Sequence, residues 1–496
     1  MAVVAILTLL LGALLSRCLY RLYFHPLSRV PGPKLAACTS LWLAYHTYIG
    51  DECTVIFKLH KKYGLVLRVA PNDVDIASGD AIDPIYINRG GFPKTVVYSK
   101  FDIDGHKTIF STLTLPERAS RAKAVAPLFS TASIRNSQDS LLRVVDDFVE
   151  RLRGGAKSGQ PVNVLQLARA LAIDAVSSYL FHERYGALKE NVGVMSASPF
   201  VDAYVGVGAF FNFTWGKVGE YLVGLVEHLT QSPETAKSFT AMDEYTSGLI
   251  KRSVPKSGSY QSRLLERVST SQAQIEVKDV CFAGTDSTGM ATATIIWYLT
   301  KYPEMLVFDR LHSELAQRSS TNKSFRYTHL RTALQTTSTT GDPASTPYLR
   351  AVVREGLRLA WANPIRLPRA VPASGWTYRS YFFPPGTSVG VSAFELHQDE
   401  SVFPNPREFK PERWLDPTDA MLNNFFAFGK GTRACIAQNL GHAEVTLAIW
   451  KVAEGDVLRG ASVVGGEDSK IEILEWFNSR VKGEEILVQW GAEGVL

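Results

Sequence analysis

The chain has 496 residues, a formal net charge of +5 and five cysteines. This small positive charge excludes the dense basic character of a nucleic-acid-binding protein, although it is compatible with contact to an anionic membrane face. The cysteines show no paired spacing, so the pattern indicates a protein of the reducing cytosol and excludes a disulfide scaffold. We find no internal repeats in the sequence.

The first predicted element is an apolar N-terminal helix. Ala2 to Leu15 is apolar or weakly polar throughout, but it is shorter than the roughly 20 residues that span a bilayer. Extension to Phe24 reaches that length if Arg17 and Arg21 direct their charges toward the headgroups. Basic residues follow the apolar run and none precedes it, unlike in a secretory signal. We therefore expect residues 1–24 to be a single-pass anchor with the body of the protein in the cytosol.

A proline-rich segment at residues 25–36 follows the anchor. Pro26, Pro31 and Pro33 make it a stiff hinge that no helix can cross. The remaining chain, residues 37–496, contains no convincing interdomain linker, although its length alone would suggest several domains. We therefore expect one large globule behind the anchor and the hinge.

Hydrophobic periodicity predicts a mainly helical fold with a small β portion. Residues from Tyr63 to Ala77 alternate in the manner of strands, with a turn at Pro71-Asn72. Helical patterns dominate from Leu141 onward, and we expect a few further strands near the C-terminus. The Ser/Thr-rich segment from Thr332 to Thr346 is typical of a solvated loop.

A long apolar helix is predicted around Val280 to Leu299, and it carries an unusual group of small and polar residues. Ala283 and Gly284 are small enough to leave a groove on its surface. We expect the Ser287 hydroxyl to bond to a carbonyl one turn earlier and to loosen the helix there. The neighbouring polar residues are Asp286 and Thr288. An ordinary buried helix with a polar stripe is the alternative explanation.

Two later segments pair charges with aromatic residues. Glu355 and Arg358 lie three residues apart and share a helix face, which is weak evidence by itself because exposed helices carry many such pairs. The proline-rich, aromatic stretch from Phe403 to Trp414 contains Arg413. A buried charge pair needs further partners to offset its desolvation, and Arg413 would supply one.

The most informative motif is the glycine-rich turn from Phe428 to Cys435. Gly429 and Gly431 permit backbone conformations that let amide groups approach the cysteine sulfur closely. The predicted helix from Ala437 to Val452 starts directly behind it and would favour negative charge there. Arg433 is available to hold a carboxylate. This arrangement suits a thiolate bound to haem iron, whereas an ordinary buried thiol is the alternative for an isolated cysteine.

These segments, in this order, resemble the cytochrome P450 family of haem-thiolate monooxygenases, whose loop reads F-x-x-G-x-R-x-C-x-G. Ala437 stands at the final glycine, a small replacement that we interpret as a variation in packing. The resemblance implies the cytochrome P450 fold and heme b (iron protoporphyrin IX) with Cys435 as axial ligand of the iron. The haem contacts that it implies are Phe428, Gly429, Arg433, Arg369, Arg121, Ala283 and Gly284.

The resemblance also assigns roles in proton delivery and in folding. Asp286 and Ser287 match the acid and the hydroxyl that deliver protons to iron-bound oxygen, with Ser287 in place of the family threonine and Thr288 as a substitute donor. Glu355, Arg358 and Arg413 match a buried structural triad. His397 is predicted either to approach the haem edge or to lie on the surface.

By this resemblance, electrons from NADPH arrive through cytochrome P450 reductase, with cytochrome b5 as a candidate second donor. The hinge is similar to that of fungal members, so we expect an endoplasmic reticulum enzyme that hydroxylates or epoxidises an apolar secondary-metabolite intermediate, a terpenoid, polyketide or alkaloid. Selectivity is expected in four aromatic-rich pieces, namely Phe92 to Phe110, Phe200 to Trp215, the Ile365 turn and Trp476-Phe477. These residues equally suit ordinary core packing.

Two alternatives remain at this level. The first is a haem-thiolate enzyme that rearranges or dehydrates its substrate without activating oxygen, which Ser287 would permit. The second is a membrane-tethered haem-binding sensor without catalysis. Dependence of turnover on NADPH and reductase separates the monooxygenase from the first, and a spectral shift on substrate binding separates it from the second.

Overall fold

Helices dominate the computed structural model, which describes residues 1–191, 193–213, 233–302, 306–321 and 346–491. The α-helices in these ranges are α1 (Ala2–Leu19), α2 (Lys34–Cys38), α3 (Leu41–Ile49), α4 (Glu52–Tyr63), α5 (Leu115–Val125), α6 (Thr131–Asn136), α7 (Gln138–Ser158), α8 (Val164–Phe181), α9 (Ala197–Gly206), α10 (Pro233–Lys251), α11 (Tyr260–Leu265), α12 (Thr270–Thr300), α13 (Leu306–Thr321), α14 (Pro347–Leu359), α15 (Ala393–His397), α16 (Asp419–Asn424) and α17 (Gln438–Glu454).

The strands are short and form small sheets. They are β1 (Val66–Ala70), β2 (Asp73–Ile76), β3 (Val162–Asn163), β4 (Arg369–Ala370), β5 (Trp376–Tyr378), β6 (Tyr381–Phe383), β7 (Ser388–Gly390), β8 (Ala461–Val463), β9 (Ile473–Leu474), β10 (Arg480–Val481) and β11 (Leu487–Trp490). The predicted hairpin is confirmed, with β1 and β2 antiparallel. Its sheet has the order β1-β2-β7-β4, so half of its strands come from the second half of the chain rather than from the N-terminus.

The hydrophobic core surrounds the long helix α12. Ser269 caps its first turn, since the Ser269 hydroxyl accepts a hydrogen bond from the amide of Gln272 at 3.3 Å. Helices α8 and α17 pack against α12, and α7 packs against α8 and α17, so that all four share one continuous cluster of buried aliphatic and aromatic residues. Burial on nearly all sides accounts for the apolar sequence of α8 and α12, and it places the polar residues of α12 inside the protein.

The N-terminal helix stands apart from this core. None of its residues from Ala2 to Leu19 is buried, and a π-helical turn, Tyr20–Phe24, ends it before the prolines. Together these residues are long and apolar enough to cross a membrane. Val164–Phe181 passes the same test of length and composition, but it lies almost entirely inside the core. The segment 332–345 lies outside the described residues.

Candidate haem-thiolate site

The turn before Cys435 is held by two glycines with left-handed backbone. Gly429 and Gly431 have φ values of +63° and +76°, which other residues rarely adopt. A β-carbon at Gly431 would lie 1.8 Å from the carbonyl oxygen of Tyr86, so the loop approaches that backbone too closely for a side chain. The amide of Cys435 then donates to the carbonyl of Phe428 at 2.9 Å. These contacts give the cysteine a defined position at the start of α17.

The Cys435 sulfur faces an enclosed space. Its side chain has exposed surface, yet burial raises the pKa of the thiol to about 11. The exposed surface of the Cys435 side chain therefore borders an internal cavity rather than bulk water. The backbone amide of Ala437 donates a hydrogen bond to the sulfur and opposes the shift. Such an amide also stabilises a thiolate, and a coordinated metal ion deprotonates a thiol outright.

Helix α12 also has a small residue with open surface. Ala283 is exposed, although most of the residues around it on α12 are buried, so its methyl group borders open space inside the fold. The Ser287 hydroxyl donates to the Ala283 carbonyl at 3.0 Å, the hydrogen bond predicted from the sequence. The predicted loosening is wrong, because α12 remains α-helical through this turn.

Gly284 serves helix packing and does not open the groove. A β-carbon there would lie 2.6 Å from a methyl group of Val176 on α8. The expectation that Gly284 leaves room beside the haem is therefore incorrect, because this residue faces the neighbouring helix. Helices α8 and α12 approach closely along this line.

The two other polar residues of the motif turn away from Ser287. Asp286 is buried between Arg169, at 3.4 Å, and the Asn478 amide, at 3.1 Å, and burial raises the pKa of its carboxyl. Thr288 donates to Glu444 of α17 at 3.3 Å. Among the predicted polar trio, only Ser287 lies on the face of α12 that borders the open space with Ala283.

A group of cations lies at the edge of this space. Arg433 donates to the carbonyl oxygens of Thr112 and Leu113 at 2.9 and 2.8 Å. Burial, together with the charges of Arg118 and Arg369, lowers the pKa of Arg433 to about 10. The same three arginines, after burial itself, depress the pKa of the Lys94 ammonium.

No carboxylate pairs with any of these four cations within 4.0 Å in the described ranges. We call Lys94, Arg118, Arg369 and Arg433 the cationic group. A converging set of basic side chains without a direct ion pair suits an anionic ligand.

Arg121 does not belong to the cationic group. Its guanidinium is buried against Glu276 at 3.1 Å and also bonds the Thr112 hydroxyl at 2.6 Å. The expectation of a free anion-binding group at Arg121 is therefore corrected by its existing partner. Arg118 lies one turn earlier on α5 and was not predicted as an anion-binding residue. Which of Arg118 and Arg121 is available to an anion depends on the neighbours of each helix face, and the sequence does not show those neighbours. Lys94 is not part of any motif recognised in the sequence.

The predicted triad is assembled behind the cysteine turn. Glu355 binds Arg358 with two hydrogen bonds of 2.8 Å, and Arg413 lies 3.0 Å from the same carboxylate. The indole of Trp414 also donates to Glu355, at 2.8 Å. His397 is neither on the surface nor free to contact a ligand, because it is buried with both ring nitrogens bonded to backbone.

Aromatic residues from the predicted selectivity segments meet in one cluster. Its members include Tyr98, Phe101, Phe110, Phe211 and Phe477, together with Ile365. The rings of Phe101 and Phe477 are 4.8 Å apart, and the Tyr98 hydroxyl accepts a hydrogen bond of 3.0 Å from Arg369. We call this set the aromatic cluster. It adjoins the cationic group at one end, and residues 214 and 215 of the predicted segments lie outside the described residues.

A cysteine held in a glycine turn, a long helix with a small exposed residue inside the fold, and a cationic group without ion pairs together suit a haem-thiolate site. The donor set fits heme b, because one sulfur can ligate the iron and the cations can hold two propionates. The sequence model of the cytochrome P450 family matches residues 30–453. The chain therefore belongs to the cytochrome P450 family, whose members are oxidoreductases.

Relatives in fungi support the same assignment. The chain is 36% identical to the cytochrome P450 monooxygenase mfmF of Annulohypoxylon moriforme, covering 95% of this chain and 96% of that protein. It is 30% identical to the cytochrome P450 monooxygenase tpcC of Cochliobolus heterostrophus, over 93% and 91% of the two chains. The fusicoccadiene C-8 hydroxylase of Alternaria brassicicola is 27% identical, over 87% and 84%.

Proposed function

We propose that this protein is a haem-thiolate monooxygenase that hydroxylates or epoxidises an apolar secondary-metabolite intermediate, a terpenoid, polyketide or alkaloid. The observation that carries the proposal is the pair formed by Cys435 and Ala283, which both present open surface inside an otherwise buried fold. A relative named for hydroxylating fusicoccadiene at C-8 supports the reaction class.

In this proposal, residues of the cysteine turn and of α12 would hold heme b. Cys435 would hold the iron through its sulfur, and the Ala437 amide would stabilise the negative charge of the thiolate. Phe428 and Gly429 shape the turn on the proximal side. Arg433 and Arg369 hold the propionates, and we add Arg118 and Lys94 in place of the predicted Arg121. Glu355, Arg358 and Arg413 fix the structure behind the turn.

When bound, the haem supplies the activation of dioxygen, which a thiolate ligand favours. Ser287 holds a hydroxyl proton at the surface of α12, bonded to Ala283 in the absence of another acceptor. Asp286 stands one residue earlier and connects to the protein interior through Arg169. The aromatic cluster binds an apolar substrate and excludes water from the site. Thr288 remains bonded to Glu444 and supports Ser287 only indirectly.

We assign residues 1–24 to an endoplasmic reticulum anchor, residues 25–36 to the hinge and residues 37–496 to a catalytic domain that faces the cytosol. The exposed apolar helix and the basic residues that follow it support this topology. Electrons then come from NADPH through cytochrome P450 reductase, with cytochrome b5 as a second candidate donor.

The deciding experiment is the difference spectrum of the reduced, carbon-monoxide-bound protein in membranes. We expect a Soret band at about 450 nm that disappears in Cys435→Ala, because thiolate ligation gives this haem its character. Cys281→Ala is the matched control, since Cys281 is a buried thiol of α12. A band at about 420 nm in folded wild-type protein contradicts thiolate ligation and therefore the proposed function.

Turnover assays then test the alternatives. A monooxygenase requires NADPH, reductase and dioxygen. Product formation without NADPH would instead support the rearranging or dehydrating enzyme. Haem binding with no substrate-induced spectral shift across a panel of apolar compounds would support a sensor.

A further inference from the structure

A carboxyl group lies one helical turn before Ala283 on α12. Asp279, Ala283 and Ser287 are spaced by four residues, so they lie along one face of the helix. Ala283 is exposed and Ser287 is half-buried, so both border open space on this face of α12. Asp279 therefore continues the same face, about 6 Å along the helix axis from Ala283.

The surroundings of Asp279 place it at the edge of the aromatic cluster. Its side chain is within hydrogen-bonding reach of the hydroxyl groups of Thr108 and Tyr204, while the residue is only 8% exposed. The ring of Tyr204 lies 3.6 Å from that of Phe282 and is stacked on Phe101 at 6.2 Å. An acid is thus held among rings that would contact an apolar substrate.

The nearby cations that could neutralise Asp279 have other partners. Lys278 pairs with Asp104 and Asp243, at 3.2 and 2.5 Å. Arg121 pairs with Glu276. In the described parts of the chain no ion pair to Asp279 is formed.

The remaining cation, Lys94, is held by a different set of contacts. It donates to the Phe110 carbonyl at 2.6 Å and lies over the rings of Tyr98 and Phe110. It lowers the pKa of Asp279 only from a distance.

A nearly buried carboxyl without an ion-pair partner is costly to the fold. Burial raises the pKa of Asp279 to about 6, so the group is mostly ionised at neutral pH, and an ionised carboxyl needs hydrogen-bond donors, for which it has about four lone-pair sites. The two hydroxyl groups of Thr108 and Tyr204 satisfy part of that need and orient the carboxyl. A bound molecule with its own donor would satisfy the rest.

We propose that Asp279 anchors the substrate, and that the substrate is an apolar skeleton with a hydrogen-bond donor, a hydroxyl or an ammonium group, away from the carbon that is oxidised. This inference rests on the proposed function and narrows its substrate class. Donor binding at Asp279 orients the skeleton along α12, so its apolar part extends past Ala283 toward Ser287. Tyr204 is a positioning residue for the carboxyl.

The test uses full-length, haem-loaded protein and matched probes. We would titrate farnesol against farnesene, and dodecan-1-ol and N,N-dimethyldodecylamine against dodecane, and follow the spin-state shift of the Soret band. The wild-type protein should bind at least one donor probe about tenfold more tightly than its hydrocarbon, equivalent to about 1.4 kcal/mol. A preference for alcohols or for the amine identifies which donor the site takes.

Asp279→Ala should abolish that preference by weakening the donor probe while leaving the hydrocarbon unchanged. Tyr204→Phe should reduce the preference. Asp243→Asn is the matched control, because it removes a carboxylate beside Lys278 outside the pocket and should keep the full preference. A purely structural role for Asp279 would instead weaken all probes equally in the Asp279→Ala variant.

Two results overturn the inference. One is a wild-type protein that prefers no donor probe over its hydrocarbon, including one that binds none of the probes. The other is an Asp279→Ala variant that keeps the preference. Failure of the proposed function is distinguishable, because it would remove the band at about 450 nm from the same wild-type preparation.

Discussion

The imidazole of His397 joins the buried triad to the cysteine turn. One ring nitrogen lies 3.0 Å from the carbonyl oxygen of Arg358, and the other accepts a hydrogen bond from the amide of Phe426 at 2.9 Å. An acceptor on one side and a donor on the other require the neutral ring with its proton on Nδ1. Phe426 lies two residues before Phe428, so this ring positions the start of the cysteine turn.

His397 should make the stability of the protein depend on pH. Burial, followed by the charge of Arg358, lowers its pKa from 6.5 to about 3. The unfolded chain binds a proton below about 6.5, whereas the folded protein does not until about pH 3. Its contribution is therefore complete above about pH 6.5 and is lost as the pH falls toward 3, by about 1.4 kcal/mol per pH unit.

The check is to measure the midpoint of urea unfolding between pH 7 and pH 4, about the range of this titration. His397→Gln should unfold more easily at pH 7 and should show a shallower decline with acidity. His106→Gln, which changes a half-buried imidazole outside the triad, is the control. An unchanged slope in His397→Gln would assign the acid sensitivity to other groups.

Arg118 and Arg121 should respond oppositely to substitution by glutamine. Arg118 belongs to the cationic group, so Arg118→Gln should weaken haem retention by about 1.5–3 kcal/mol, the worth of a hydrogen bond to a charged group, with little loss of fold stability. Arg121→Gln leaves Glu276 fully buried without its partner and should destabilise the fold by about 3–5 kcal/mol.

Transfer of haem to apomyoglobin measures the first effect, and chemical unfolding measures the second. Faster transfer only in Arg121→Gln would return the propionate contact to Arg121. Equal behaviour of the two variants would mean that α5 acts as a unit in both roles.

Gly284 should tolerate a side chain only when α8 makes room for it. Gly284→Ala places a methyl group 2.6 Å from Val176 and should destabilise the protein by about 1–3 kcal/mol, because overpacked cores must shift. Adding Val176→Ala should recover much of that loss. Ala283→Gly is the control for helix propensity, with an expected cost of about 1 kcal/mol. A double variant no more stable than Gly284→Ala alone would indicate that the glycine is needed elsewhere.

Prediction from the sequence was most successful where one short motif contains the residues that a structural or chemical role requires. The β1–β2 hairpin was predicted from strand alternation and a turn, and the structure contains it. The triad of Glu355, Arg358 and Arg413 was predicted from the resemblance of its motifs to the cytochrome P450 family, and these side chains are in contact. Gly284 and Arg121 were misread because their roles depend on which neighbour each helix face meets. A small residue fits a groove and a close helix contact equally well, and only the position of Val176 separates them.

For the same reason, contacts between distant segments could not be predicted from local sequence patterns. Lys94 and Arg433 are more than three hundred residues apart, and Lys94 has no motif around it. Burial lowers the pKa of both Lys94 and Arg433, and the positive charges that the fold brings close to them lower it further. The cationic group can be recognised only once it is known that the loop at Lys94 lies close to the cysteine turn.

Ser287 should control how efficiently electrons are used. Its hydroxyl is the polar group of the motif on the open face of α12, whereas Asp286 and Thr288 are bonded elsewhere. Ser287→Ala removes that proton donor and should lower the product formed per NADPH consumed by about tenfold or more, with hydrogen peroxide released instead. Ser287→Thr should raise this ratio above wild type, because a β-branched side chain restricts the hydroxyl to fewer rotamers.

The measurement compares product, NADPH and peroxide in the same reaction, using variants that keep the band at about 450 nm. Thr288→Val is the matched comparison, and it should chiefly reduce stability because it leaves the buried Glu444 without its hydroxyl partner. Loss of coupling in Thr288→Val with normal coupling in Ser287→Ala would transfer the proton-donor role to Thr288. Turnover that needs no NADPH, and that Ser287→Ala leaves intact, would remove oxygen activation from the mechanism.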